Sequence, residues 1–89
     1  MKNMPRISSF LGIVIYMYFN EHNPPHFHAT YGEFTSEIDI RTFAVLNGNL
    51  PPKVLGLVIE WASLHQSELM ENWDSLRKDG VFNKIEPLI

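Results

Sequence analysis

Apolar residues run without a break from Ile13 to Phe19. In an extended chain Ile13, Ile15, Met17 and Phe19 share one side, and Val14, Tyr16 and Tyr18 share the other. With both sides apolar or aromatic, the segment predicts a strand inside a sheet, covered on both faces. Gly12 just before it marks a bend or bulge. From His26 to Ile40 the pattern changes to alternation about Gly32-Glu33, a glycine-first pair that suits a type II′ hairpin turn. That turn sets a register: Tyr31 opposite Phe34, Thr30 opposite Thr35, Ala29 opposite Ser36, His28 opposite Glu37, Phe27 opposite Ile38, His26 opposite Asp39. One face then collects the largely apolar set that includes Phe27, Ala29 and Ile38, and the other the polar set that includes His26, His28, Glu37 and Asp39. A one-residue slip would mix the sets, so turn and pattern support the same pairing. A second turn near Arg41-Thr42 leads to a short strand from Phe43 to Leu46, closed by Asn47-Gly48.

After Pro51-Pro52 the apolar period lengthens to that of a helix: Val54, Val58, Trp61, His65, Leu69, Trp73 and Leu76 fall on one stripe. Pro52 suits a first helical position, Arg77 and Lys78 the last turn, and Gly80 the residue past the cap. The pattern predicts helix over residues 52–79 and leaves open one helix or two bent near His65-Gln66-Ser67. Leu55, Leu57, Ile59, Ala62 and Leu64 spread the apolar surface around its first half, which suggests packing on more than one side or an interface. The expected fold is α+β: an antiparallel sheet of about four strands over residues 7–47, with one long C-terminal helix packed on one face. A tail over 81–89, packed by Val81, Phe82 and Ile85, completes a single domain of residues 1–89.

Composition narrows the picture in three ways. There is no cysteine, which excludes disulfides, thiolate metal sites and a cysteine nucleophile. No apolar run reaches the roughly 20 residues of a membrane span, and LGIVIYMYF reads as strand rather than signal peptide. A cytoplasmic protein without a membrane partner is the expectation. The net charge of −3, with seven scattered basic residues, provides no cationic stripe for a sequence-independent grip on nucleic acid.

The chemistry concentrates in HNPPHFH, residues 22–28, which holds three of the four histidines. Pro24 and Pro25 stiffen the loop between His22 and the strand bearing His26 and His28. Three readings stay open. The first is a set of ordinary cross-strand histidine–carboxylate pairs with no chemistry. The second is a metal site: His-x-His on a strand puts two imidazoles on one side, and His22 or a carboxylate would complete a set for zinc, nickel or iron. The third is metal-free acid–base catalysis by His26 and His28, steadied by Glu37 and Asp39. Such a pair can cleave RNA at a ribose 2′-hydroxyl, with His22, Tyr16, Tyr18 and Arg41 as candidates to stack on a base or steady a phosphate. His65 lies on the apolar helix stripe and reads as a satisfied, partly buried residue, and Trp61 and Trp73 read as core.

Around NEHNPPHFHA the chain resembles the bacterial domain-of-unknown-function family 4160 (DUF4160), and the likeness continues through VLNGNLPPKVLGLVIEWASLH and ELMENW to KIEPL. His22, His26 and His28 carry over; Tyr16 and Gln66 stand where a basic residue would be expected. The resemblance implies a bacterial cytoplasmic protein whose gene neighbourhood is similar to toxin–antitoxin operons, hence a small protein partner. The expectations are a toxin–antitoxin-type module with RNA-cleaving activity, a non-catalytic antitoxin or adaptor, or a small metal-binding protein. The apolar helix would bind a protein partner or a second copy.

Overall fold

The computed structural model describes residues 5–19 and 21–89. Five strands form one antiparallel sheet in chain order: β1 Arg6–Phe10, β2 Ile13–Tyr16, β3 His26–Tyr31, β4 Phe34–Asp39 and β5 Val45–Asn49. Two helices follow, α1 Pro52–Leu64 and α2 Gln66–Lys78. Asn20, which opens the expected connection into the histidine loop, lies outside the described residues.

The β3–β4 hairpin has the register that the turn and the pattern predict, from His26↔Asp39 to Tyr31↔Phe34. Gly32 supplies the positive φ, +58°, that a type II′ turn needs at its first position. Three expectations are corrected. The sheet has a strand more than expected: Gly12 does not bulge a single strand but forms, with Leu11, a tight turn of two positive-φ residues joining β1 to β2. Leu11 is a poor residue for that conformation, so Gly12, read as a bend or bulge, was the turn's one signal. Next, Asn47-Gly48 does not close the last strand. It lies within β5, pairing with Glu37 and Ser36, and Leu46 is the extra residue of a bulge. Finally, the long helix is two helices. His65, at φ −127°, leaves helical geometry between them; its Nδ1 meets Glu68, and Gln66 Nε2 donates to the carbonyls of Ile40 and Arg41 across 2.8 and 3.2 Å.

The helices close one core with the apolar face of the sheet. Trp61, fully buried, places its ring 5.6 Å from Phe10 and 6.0 Å from Phe27. Ile7, Ile13, Ile15, Ile38, Val58 and Leu69 fill the same core. Leu55, Leu57 and Ile59 are half-buried, so much of the helix's surplus apolar surface is absorbed internally, while Leu64 stays exposed. The tail is fastened rather than packed throughout. The Ile85 amide donates to the Ile7 carbonyl of β1, Trp61 Nε1 donates to Glu86, and the buried Asn72 side chain both donates to and accepts from the Asn83 backbone. Ile85 is buried, Phe82 half-buried and, against expectation, Val81 is exposed. No described helix is long and apolar enough to cross a membrane.

Among the described residues, one buried side-chain polar atom is unmatched. Ser8 is buried and its Oγ has no hydrogen-bond partner. A desolvated hydroxyl without a partner costs roughly 1–3 kcal/mol. Ser8→Ala is therefore expected to raise stability by about 1 kcal/mol, read as a later midpoint in urea; an earlier midpoint would mean the hydroxyl is bonded after all.

Candidate functional site

The polar face of the hairpin is where the histidines gather. His26 and His28 alternate with the core residue Phe27, so both point away from the helices' main contact. Yet they are nearly buried, at 7 and 9% exposure. The cover comes from three sides. Tyr18 stacks on His28 with ring centres 4.3 Å apart and planes 22° off parallel. Trp73 of α2 stands 5.3 Å from the His26 ring, and Arg77 lies over that indole at 5.5 Å. The segment before the double proline brings in Glu21.

Glu21 is the residue that the sequence reading missed. One of its carboxylate oxygens, Oε1, meets both histidines, 3.0 Å from His26 Nε2 and 2.5 Å from His28 Nε2. The other nitrogen of His26, Nδ1, donates to the Pro24 carbonyl across 2.8 Å, which fixes the ring. The signal was present in EHNPPHFH: a carboxylate five residues before one histidine and seven before the other, across a stiff loop. The ligand atoms of Glu21, His26 and His28 lie within 4.8 Å of one another.

The expected carboxylates are placed differently. Glu37, opposite His28 in register, brings Oε1 only to 3.9 Å of His26 Nε2. Asp39 pairs with His26 through the backbone, but its Oδ1 accepts the amides of Arg41 and Thr42 at 2.7 and 2.9 Å, closing the β4–β5 turn. Arg41 is an exposed residue of that turn. His22 is exposed and outside the Glu21–His26–His28 group. Tyr16 faces His28 across the β2–β3 ladder and is half-buried. Burial raises the Tyr18 phenol above its ordinary value, with Glu21, Tyr16 and Glu37 pushing the same way; it therefore stays neutral and protonated through the physiological range.

A hollow of about 150 Å³, lined by His28, Thr35, Ser36, Glu37, Asn47 and Gly48, opens the His28 side of the cluster to the surface. The arrangement brings two imidazole nitrogens and a carboxylate to one point, with both histidines nearly buried. His65 is half-buried and satisfied by Glu68, and Trp61 and Trp73 are buried, as the helix stripe predicts.

Residues 12–74 match the model of a family described as Domain of unknown function (DUF4160). No curated protein and no solved structure matches the chain.

Proposed function

The chain belongs to the DUF4160 family, and from that premise we propose that it works as a small toxin–antitoxin-type module whose reactive centre is Glu21, His26 and His28 and whose chemistry is RNA cleavage. The observation that carries this is the convergence of both Nε2 atoms on one carboxylate oxygen at a nearly buried point. Gathering three ionisable groups, two of them buried, costs folding free energy, and such clusters concentrate at functional sites. Cleaving a ribose phosphodiester needs one group to take the 2′-hydroxyl proton and another to protonate the leaving oxygen. Two imidazoles supply both roles, and Glu21 orients them. His28, which lines the hollow, is the one a substrate reaches first. The toxin–antitoxin setting, the cytoplasmic location and the small protein partner rest on the family resemblance.

A second reading, a non-catalytic antitoxin or adaptor, draws on β5. Its five residues are exposed, its outer edge ends the sheet, and Val45 and Leu46 stand 42 and 43% exposed. Free strand edges are templates for partner strands.

Induction of the protein in a bacterial host separates the two. The wild type is expected to arrest growth and shorten cellular RNA, and a folded His26→Ala/His28→Ala variant to do neither. Normal growth with both would end the RNA-cleavage reading and leave the adaptor.

A further inference from the structure

We infer that Glu21, His26 and His28 bind a divalent first-row transition ion. The inference rests on taking this cluster as the functional centre and changes its chemistry: with both Nε2 atoms on the ion, a water at the ion's open position, in place of the free imidazoles, would supply the base. A carbonyl only accepts, so the 2.8 Å contact to Pro24 places a hydrogen on His26 Nδ1. In the neutral ring Nε2 is then a bare lone pair, and it faces a carboxylate oxygen at 3.0 Å. Two acceptors do not bind each other; a positive species belongs between them.

The same oxygen also meets His28 Nε2 at 2.5 Å, and the two rings lie 5.1 Å apart, so three ligand atoms converge within 4.8 Å of one another. A metal ion satisfies all three groups with both rings neutral. A histidine ligand ordinarily donates its other nitrogen to a carbonyl or carboxylate, which fixes the coordinating lone pair; the Pro24 contact does this for His26. Imidazole nitrogens favour zinc, nickel, cobalt and iron, whereas calcium and magnesium seek oxygen. In a tetrahedral zinc site with bonds of roughly 2.0–2.1 Å the ligand atoms stand about 3.3 Å apart. Glu21 Oε1 therefore has to withdraw by less than about 1 Å from its present contacts, and the two ring nitrogens, within 4.8 Å of each other, have to stand at the same spacing. Three protein ligands leave coordination open. The open side is marked by Glu37, 3.9 Å from His26 Nε2, and by the hollow at His28.

The test is titration of the full chain, freed of any affinity tag, with zinc chloride by calorimetry and with cobalt chloride by visible absorption. The expected result is one ion per chain, with zinc binding weakened about a hundredfold in Glu21→Gln and in His28→Ala and unchanged in His22→Ala. Circular dichroism checks folding, and Glu21→Gln decides alone if His28→Ala unfolds. A folded wild type that takes up neither metal, or Glu21→Gln binding as tightly as wild type, overturns the inference. The growth assay fails separately. Metal uptake without growth arrest keeps the metal site and sinks RNA cleavage; arrest and RNA cleavage with no metal bound keep the cleavage and sink the metal.

Discussion

Trp61→Ala is expected to lower the thermal midpoint by more than about 12 °C. Removing a buried tryptophan costs roughly 3–5 kcal/mol, and each kcal/mol moves a domain of this size by roughly 4–8 °C. A chain of 89 residues has only about 4–13 kcal/mol in total. Trp61 belongs at the high end because it is fully buried, packs on Phe10 and Phe27, and ties down the tail through Nε1 and the Glu86 carbonyl. Trp61→Phe separates the two contributions. It keeps most of the ring contact and loses the hydrogen bond, so its midpoint should fall much less while limited proteolysis cuts the tail sooner. A fall of under about 5 °C for the alanine variant would mean that the core closes over the gap.

Gly48→Ala is expected to lose about 3 kcal/mol or more and to loosen β5, whereas Gly56→Ala should gain about 0.5–1 kcal/mol. The same added methyl group meets opposite surroundings. At Gly48 the backbone has φ +74°, and a Cβ would stand 2.2 Å from the Thr35 carbonyl oxygen and 3.1 Å from Ser36 Cα. Neither neighbour is a side chain that can swing aside, so the strand must shift. At Gly56, inside α1, nothing lies within 4 Å of the added atom, and alanine is the better helix former. Urea unfolding reads both signs, and amide exchange along the β4–β5 ladder locates the first. A Gly48→Ala midpoint equal to that of the wild type would show that β5 does not hold the Gly48 conformation in solution.

Local rules that agree with each other made the middle of the chain legible. In β3 and β4 the turn glycine and the alternating faces demand one register, and that register is present. The helix stripe likewise gave Val58, Trp61, Leu69 and Trp73 as core. Elsewhere a local conformation overrode the signal. Leu11 takes φ +52° despite its side chain, which hid β1 behind a turn that Gly12 alone marked. Gly48 looked like an ending because glycine usually punctuates, but here it lets the backbone pass close to Thr35. In the candidate site the strand histidines were legible from alternation and the carboxylate was not. Asp39 is opposite His26, but its oxygen serves the amides two and three residues on, a habit of aspartate in turns. Glu21 sits in irregular chain, where no period says which way a side chain points.

The strand order carries a further consequence, for how the molecule comes into being. Each strand pairs with its neighbour in the chain, so no strand waits for a distant segment before it can dock. Such a meander assembles through short loops and belongs with the faster-forming sheets. Glu21, His26 and His28 fall within eight consecutive residues beside the β2–β3 pairing. The centre can thus take shape with the second hairpin, before the helices seal Trp73 against it. Its parts travel as one contiguous cassette, a unit that recombination can move whole.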